Sequence, residues 1–220
     1  KVNYDSLPNN PIKILIEGSN GASDYGNKIG EPIINGFTRS FGNNNYEYLK
    51  PIMFSGGIGT MFDRDIEKYV PEEGNLVVRI GGPTYRIGIG GGSASSRSQT
   101  NKNINIDLNA VQRGDPQVEN KLVKFVMSCL ELGKDNPILS IHDQGAGGNG
   151  NVLKEIIEDC GCMIDLGKLT KGDSSMNYLE LWLAEYQESN ALLFDLRQSE
   201  LMREIAAREN IYFDVVGEVF

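Results

Sequence analysis

Two glycine-rich segments of the sequence have the composition of loops that hold an anion. The first, GGPTYRIGIGGGSASS at 81–96, directly follows a short apolar run, and the second, GAGGNG at 145–150, follows another. Because glycine lacks a side chain, the backbone N–H groups of such loops can crowd around a phosphate, and small hydroxyl residues add donors. Both segments therefore indicate phosphate binding. For the first, the structural alternative is tight packing against a neighbouring lobe.

The second glycine segment also matches the dinucleotide-binding pattern G-x-G-x-x-G, at Gly145, Gly147 and Gly150. Asp165, 20 residues after Gly145, supplies the acidic residue of that fingerprint. The match lies far into the chain, after an earlier apolar run and an earlier glycine segment, whereas a dinucleotide fold usually opens with it. A dinucleotide-dependent oxidoreductase is therefore one open hypothesis.

Asp143 stands at the carboxyl end of a predicted strand and ahead of a predicted helix, where α/β sheets collect their ligands. Magnesium takes oxygen ligands and shares them with substrate phosphates, so one or two carboxylates suffice. Asp143 is therefore the candidate metal ligand, and an N-cap or turn role is the alternative. Its neighbour His142 is interpreted as a hydrogen-bonded strand residue and not as a general base.

Two polar clusters flank predicted elements and are candidates for substrate contacts. VQRGDP at 111–116 leads into a helix, which places Gln112 and Arg113 where a phosphate or an amide could meet the helix N-terminus. EYQESN at 185–190 lies between an apolar helix and an apolar strand. This second cluster either caps the helix and forms a turn or faces a substrate pocket.

The elements that must position these segments alternate between strand and helix. Apolar runs and amphipathic patterns predict strands at 76–80, 137–142, 162–166, 190–195 and 211–217, and helices at 116–132, 151–159, 176–186 and 197–208. This alternation is typical of an α/β (layered α+β) fold in which helices pack on a mixed sheet. We place a domain boundary at about residue 75, so that 76–220 forms one lobe and 1–75 belongs to a partial first lobe.

Residues 1–75 carry weaker patterns. Residues 1–12, which include Pro8 and Pro11, predict an extended linker. Residues 14–42 contain too many glycines for one ordinary helix, at a cost of roughly 1 kcal/mol each. They indicate either close backbone approach to another group or a loop-rich connector with a short helix near 33–40. The apolar run at 52–54 predicts a buried strand.

The composition is that of a folded protein with small ligands. Of the 220 residues 40% are hydrophobic, and the formal net charge of −9 argues against nucleic acid, because a polyanion needs a basic surface. The sequence has no apolar run of about 18 residues that would predict a membrane span.

Three cysteines without C-x-x-C spacing indicate structural thiols in a reducing cytosol. Because the amino end has neither Met nor a signal pattern, we expect a piece of a longer chain.

Six blocks of the sequence resemble the phosphoribosylformylglycinamidine synthase family, within the superfamily that includes aminoimidazole ribonucleotide synthetase. The blocks are GASDYGNKIGEP at 21–32, KPIMFSGGIG at 50–59, GGPTYRIGIGGGSASS at 81–96, VQRGDP at 111–116, HDQGAGGNGNVLKE at 142–155 and AEYQESNALL at 184–193. Six blocks in register are far more specific than one glycine loop. The resemblance covers nearly the whole chain and implies a lobe like the C-terminal domain of aminoimidazole ribonucleotide synthetase.

The resemblance implies a ligase of purine biosynthesis, in the cytoplasm. The family makes formylglycinamidine ribonucleotide from formylglycinamide ribonucleotide, ATP and glutamine-derived ammonia. An amide is a poor electrophile with a poor leaving group, so ATP phosphorylates the amide oxygen and ammonia then displaces phosphate. Magnesium offsets the clustered negative charge. ATP and Mg²⁺ are therefore the implied cofactors.

The resemblance also implies roles for individual residues. Gln112 and the segment Glu185-Tyr186-Gln187 are expected to contact the ribonucleotide, although Tyr186 stands where relatives have serine. Asp143 is expected to ligate magnesium. Asn35-Gly36-Phe37 is expected to contact a nucleotide at a second, structural site.

The resemblance places the family's catalytic groups outside these 220 residues. Its catalytic histidine lies upstream of residue 1, and the second synthetase half and the glutaminase with its nucleophilic cysteine are also outside. We therefore expect no catalytic residue in the chain and expect the rest of its polypeptide as a partner. Two alternatives stay open at this point, an NAD-binding oxidoreductase and a non-catalytic scaffold that keeps only the fold.

Overall fold

The computed structural model describes residues 10–37, 39, 41–46, 53–95, 110 and 114–220. The chain forms two compact units, Lys1–Asp63 and Arg64–Phe220. Tyr69, in the second unit, donates its N–H to the carbonyl of Leu139 at 3.4 Å and accepts the Ser140 hydroxyl at 3.2 Å. The segment just before residue 75 therefore already bonds to the sheet, while the predicted domain boundary stays a prediction.

The first unit contains a long helix, α1 (Pro11–Ile29), where the sequence predicted a linker followed by a loop-rich stretch. Asn10 caps the helix, since its side chain accepts the N–H of Ile12 at 2.9 Å. Pro11 occupies the first turn, where no N–H is needed, and Gly30 ends the helix in the left-handed conformation. These signals at the two ends outweigh the glycines between them. The linker prediction is therefore wrong at residues 11–12, with 1–9 outside the described residues, and the loop-rich prediction is wrong for 14–29.

The glycines inside α1 allow close contacts without breaking the helix. A Cβ on Gly26 would lie 2.6 Å from the Ile33 side chain, and one on Gly18 would lie 3.2 Å from Met53. The predicted short helix near 33–40 is absent from the described residues 33–37 and 39. In the predicted strand 52–54, Ile52 lies outside the described residues, and Met53 and Phe54 are exposed and not in a strand. That strand prediction is therefore wrong for the residues described.

The second unit contains a five-stranded sheet with helices on both faces. The strands are β1 (Asn75–Gly81), β2 (Ile138–Asp143), β3 (Cys162–Ile164), β4 (Ser189–Asp195) and β5 (Tyr212–Val219). The helices are α2 (Gly91–Ser95), α3 (Pro116–Leu130), α4 (Gly148–Glu155), α5 (Tyr178–Leu183) and α6 (Ser199–Arg208). The predicted alternation of strands and helices beyond residue 75 is therefore confirmed.

Adjacent strands of the sheet are antiparallel at each of the four pairings. The order is β2-β4-β1-β5-β3, so β4 and β5 run opposite to the other three and lie between them. The alternation of strand and helix patterns along the sequence predicts which elements form, but it does not predict which strands become neighbours in the sheet. The α/β fold class is confirmed, and the strand directions differ from the mixed sheet that we predicted.

Strand β1 is buried on both faces because helices cover both sides of the sheet. Leu76 and Val78 join a core cluster with Phe125 of α3 and Met202 of α6. Val77, between them, joins the opposite cluster, which α4 and α5 cover. Side chains of a strand alternate between faces, so a strand buried on both sides carries apolar residues on both faces. Arg79 is a buried charged exception in β1. Within the described ranges, no helix is both long and apolar enough to cross a bilayer.

Candidate functional site

The pairing of the strands brings three segments to the same end of the sheet, where β1 and β2 finish and β4 begins. We call residues 81–92 glycine loop 1, residues 144–148 glycine loop 2, and residues 184–189 the 184–189 turn. β4 pairs with both β1 and β2, with Gly81 opposite Ser189 and Asp143 opposite Asn190. The carboxyl ends of β1 and β2 therefore meet the amino end of β4. The loops that leave these ends form the candidate site.

The carboxylate of Glu185 joins the two glycine loops. Its Oε1 accepts the N–H of Gly147 at 3.1 Å, and its Oε2 accepts the N–H of Gly92 at 3.3 Å. The N–H of Glu185 in turn donates to the carbonyl of Ile87 at 3.1 Å. Gly147 is the N-cap of α4, where the helix dipole favours negative charge. At these two amides the anion is therefore a carboxylate of the protein itself.

Gln144 fastens glycine loop 2 to the 184–189 turn. Its N–H donates to the carbonyl of Ser189 at 3.0 Å, and its side-chain amide donates to the carbonyl of Ala184 at 2.8 Å. The Ser189 hydroxyl lies 2.5 Å from the Gln144 side-chain oxygen and 2.6 Å from the carbonyl of Tyr186. Sequence reasoning missed Gln144, although a polar residue between a strand and a glycine-rich loop was an available signal.

Several glycines of the loops are required by close packing. A Cβ on Gly148 would lie 2.3 Å from the carbonyl oxygen of Ala184, and one on Gly150 would lie 2.6 Å from the Trp182 ring. A Cβ on Gly82 would lie 2.6 Å from the ring of Tyr186. The glycine pattern is therefore explained in part by contact between segments of one lobe.

The dinucleotide-binding hypothesis does not fit this sheet. A dinucleotide fold places its glycine fingerprint between two neighbouring parallel strands. Here the glycines at 145–150 follow β2, and the next strand in sequence, β3, lies at the opposite edge of the sheet. The match to G-x-G-x-x-G is therefore a look-alike.

A buried arginine lies beneath glycine loop 1. The Arg79 guanidinium donates to the carbonyl of Gly82. Burial lowers the pKa of Arg79 to about 10, and the negative charge of Asp214 partly offsets this effect. Burial raises the pKa of Tyr186, and Asp115 adds to this shift. Arg79 is thus a buried cation and Tyr186 a neutral phenol at neutral pH.

Arg86, a residue of glycine loop 1, anchors this loop to two acidic residues outside it. The Arg86 guanidinium forms ion pairs with Asp173 and Glu180, each at 2.9 Å. The hydrogen bond from Arg86 lowers the pKa of Glu180. Glu180 belongs to the capping box of α5, together with Asn177, and α5 leads directly into the 184–189 turn. Arg86 therefore links loop 1 to the helix that positions Glu185.

The predicted site residues of the second unit differ in exposure. Glu185 and Tyr186 are buried, whereas Gln187 is exposed. Asp143 ends β2 and its side chain is 88% exposed. Gln112 lies outside the described residues.

The remaining predictions concern Asn35-Gly36-Phe37 and His142. The three residues of the first segment are exposed and lie in the first unit, where the Asn35 side chain accepts the N–H of Gly36 at 2.8 Å. His142 lies 2.9 Å from the carbonyl of Asp143 and 3.2 Å from a Glu155 carboxylate oxygen. As predicted, His142 is a hydrogen-bonded strand residue.

The described residues suit a metal ion that is coordinated partly by a bound phosphate better than one that is surrounded by protein side chains. No group of three or more His, Cys, Asp or Glu residues among them could surround a metal ion. Asp143 nevertheless presents an exposed carboxylate at the carboxyl end of β2. Magnesium usually takes one or two protein carboxylates and completes its shell with phosphate and water. This arrangement therefore suits magnesium that arrives with a phosphate ligand.

Comparison with known proteins gives matches to both sequence and fold. Residues 72–220 match the family described as AIR synthase related protein, C-terminal domain. The phosphoribosylformylglycinamidine synthase of Drosophila melanogaster is 54% identical over 219 residues, which cover 95% of this chain and 16% of that protein. T. maritima PurL complexed with FGAR has a TM-score of 0.69 at 23% identity, over 91% of this chain and 32% of that one. T. maritima PurL complexed with ATP has a TM-score of 0.63 at 22% identity, over 91% and 30%.

These matches differ in what they establish. The likeness to the two solved structures establishes the fold. The chain spans only 16% of the length of the Drosophila protein, and also 16% of a relative from Arabidopsis thaliana that is 51% identical to this chain. The family match covers 72–220, most of the chain and all five strands. The chain therefore belongs to the AIR synthase related protein family, and its residues 72–220 are the family's C-terminal domain.

Proposed function

We propose that this chain is a segment of a phosphoribosylformylglycinamidine synthase and forms part of its ribonucleotide and phosphate site. The observation that carries this proposal is the convergence of both glycine loops and the 184–189 turn at the carboxyl ends of β1 and β2. Glycine-rich loops that converge at one end of a sheet can turn their backbone N–H groups toward an anion. Identity of 54% to a protein of that name, over 95% of this chain, supports the reaction.

In the proposed reaction the enzyme joins ammonia to formylglycinamide ribonucleotide at the expense of ATP. Phosphorylation of the amide oxygen makes the carbon electrophilic and provides a leaving group, and ammonia then displaces phosphate. The ammonia comes from glutamine, which a glutaminase part of the same enzyme hydrolyses. This chain contributes binding and orientation, and the catalytic histidine and cysteine lie elsewhere in the enzyme.

Glycine loop 1 holds phosphate in this proposal. Gly88 and Gly90 have φ angles of +66° and +71°, a conformation that turns successive N–H groups to one side. Such a concave row of N–H groups binds anions without any formal positive charge. A net charge of −9 is therefore compatible with phosphate ligands.

Individual residues receive the following proposed roles. Gln112 and the segment Glu185-Tyr186-Gln187 belong to the ribonucleotide site. Asp143 holds Mg²⁺, which neutralises phosphate charge, and its position at the carboxyl end of β2, just ahead of glycine loop 2, supports this role. Asn35-Gly36-Phe37 contacts a nucleotide at a separate site. The free thiols of the chain support a reducing, cytoplasmic location.

The proposal is tested with Asp143→Asn in the full-length synthase. We expect turnover to fall at least tenfold and the magnesium concentration for half-maximal rate to rise, because the variant loses an anionic ligand. Asp159→Asn, which removes the same charge at another exposed position, is the control and should leave both quantities unchanged. An unchanged magnesium requirement in Asp143→Asn would contradict the ligand role.

A second measurement tests the assignment to a synthase segment. Three hypotheses are compared: a synthase segment, an NAD-binding oxidoreductase and a non-catalytic scaffold. Calorimetric titration of the full-length enzyme with formylglycinamide ribonucleotide, with ATP and magnesium, and with NAD separates them. Binding of the first two ligands and not of NAD is expected. Turnover by the isolated 220 residues would contradict the proposal that catalytic groups lie elsewhere.

A further inference from the structure

We infer that Arg79 is a positioning residue whose buried charge strengthens the binding of phosphate by glycine loop 1, although its side chain does not touch the ligand. This inference rests on the proposed function for the identity of the ligand. It gives a role in ligand binding to a side chain that the protein encloses completely.

Arg79 lies directly beneath the start of glycine loop 1. It stands near the end of β1, its side chain is fully buried, and its guanidinium donates to the carbonyl of Gly82. The same glycine packs against Tyr186, since a Cβ on Gly82 would lie 2.6 Å from that ring. The hydrogen bond and this contact together fix the place where the loop leaves the strand. Arg79 therefore positions the loop.

The charge of Arg79 is only partly neutralised inside the protein. Its Nε and Nη2 atoms have no hydrogen-bond partner among the residues that the structure describes. Asp214 lies opposite Arg79 in the neighbouring strand β5, but its two carboxylate oxygens accept the N–H of Thr170 at 2.8 Å and the Thr170 hydroxyl at 2.7 Å. The guanidinium remains charged at neutral pH, since burial lowers its pKa only to about 10. Uncompensated positive charge therefore remains beneath the loop.

A buried charge with so few partners does not stabilise the fold. Taking a guanidinium out of water costs more free energy than a single hydrogen bond returns. An apolar side chain of similar length would avoid this cost. Residues that break a rule of folding in this way are expected where function requires them. The position of Arg79 under a loop of the candidate site thus favours a role in ligand binding.

The protein interior lets this charge act on a ligand that it does not touch. Across the same distance, two charges interact several times more strongly through protein than through water, and salt screens a buried charge less. In our proposal the loop around Gly88 and Gly90 supplies the N–H groups that contact phosphate, and Arg79 adds positive potential behind them. Arg86 of the same loop differs, because it is one-third exposed and paired with two carboxylates.

The test measures ligand affinity in the full-length synthase by calorimetry. The probes are formylglycinamide ribonucleotide and the corresponding riboside, which lacks the phosphate. Arg79→Met removes the charge and keeps an apolar side chain of similar reach. We expect its Kd for the ribonucleotide to rise about tenfold, as one lost charge near a phosphate implies at an effective dielectric constant of about 20. Its Kd for the riboside should not change, and its midpoint in urea denaturation should not fall.

Two further variants separate the charge of Arg79 from its shape. Arg79→Lys keeps the charge without the planar guanidinium, and its Kd for the ribonucleotide should rise no more than about threefold. Asp214→Asn removes the carboxylate that offsets Arg79 but leaves an acceptor for Thr170, and it should bind the ribonucleotide about threefold more tightly. A purely structural role of this pair predicts weaker binding instead.

The matched control is Arg197→Met, which removes the same charge beyond the other end of β4. The Arg197 side chain is 87% exposed and paired with Asp195, so salt and solvent screen its charge. This variant should match the wild type for both probes.

Unchanged affinity of Arg79→Met for the ribonucleotide, or equal weakening of both probes, would overturn the inference. If Arg79→Met failed to fold, Asp214→Asn would decide, because tighter binding supports the inference and unchanged or weaker binding overturns it. A wild-type enzyme that did not bind the ribonucleotide would contradict the proposed function instead. Inorganic phosphate would then serve as the probe. Tightest binding by Asp214→Asn and weakest by Arg79→Met would support the role of Arg79, and any other order would overturn it.

Discussion

Gly148 lies so close to Ala184 that a Cβ on the glycine would come within 2.3 Å of the alanine carbonyl oxygen. The backbone of Gly148 also has a φ of +60°, which side chains with a Cβ rarely adopt. This contact joins the start of α4 to the end of α5. The close packing of these two segments in the candidate site therefore requires a residue without a Cβ at position 148.

Gly148→Ala should destabilise the second unit by about 2 to 4 kcal/mol, because it combines an unfavourable φ with a steric clash. Urea denaturation measures the change. Gly145→Ala is the matched control, since a Cβ there would meet nothing within 4 Å, and it should cost less than about 1 kcal/mol. Equal effects of the two variants would contradict the close packing at Gly148.

Phe125→Ala should destabilise the second unit by about 3 to 5 kcal/mol, because it leaves a cavity in the core between α3 and the sheet. Phe125 is fully buried, and its ring centroid lies 6.0 Å from that of Phe213. Met127→Ala, two residues along α3 and 49% exposed, should cost less than about 1 kcal/mol. A small effect of Phe125→Ala in urea denaturation would place this helix elsewhere.

Arg86→Lys should lower the thermal midpoint slightly at low salt and have a smaller effect at high salt. Lysine keeps the charge but cannot form the two-armed contact with Asp173 and Glu180. The arginine side chain is about one-third exposed, so salt screens its ion pairs. Thermal unfolding at two salt concentrations measures the difference. A salt-independent change would show that the ion pairs are not its cause.

Alkaline pH should destabilise the protein partly through Cys129. Burial raises the pKa of this thiol from 9.0 to about 12. The native state therefore retains a proton between about pH 9 and 12 that the unfolded state releases, so the free energy of unfolding falls as pH rises through that window. The slope for one such proton is on the order of 1 kcal/mol per pH unit.

Cys129→Ala should remove this part of the alkaline slope. Denaturant unfolding at intervals from pH 8 to 11 measures it, and the two proteins should show parallel behaviour between pH 6 and 8. An identical slope in both proteins above pH 9 would mean that the thiol ionises in the native state as easily as in the unfolded one.

The sequence was sufficient for the five strands and for α3 to α6, and insufficient for α1 and for the short helix α2. Strands and helices beyond residue 75 have clear periodicity, and caps such as Asp115 and Asn177 mark where helices begin. For α1 the sequence also contains the capping residues Asn10 and Gly30, which mark the two ends of a helix. The glycines between them nevertheless favoured the wrong prediction of a loop-rich segment. Tertiary contact of Gly26 with Ile33 makes one of those glycines favourable.

By itself the sequence determined the family blocks, the order of elements and the position of Asp143 at the end of a strand. Only the tertiary structure decided that the sheet is antiparallel and that Glu185 binds both glycine loops. The physical reason is distance along the chain, since the two amides that Glu185 accepts lie 93 and 38 residues away. Local patterns encode periodicity and caps, whereas the pairing of β4 with both β1 and β2 brings these groups within hydrogen-bond reach.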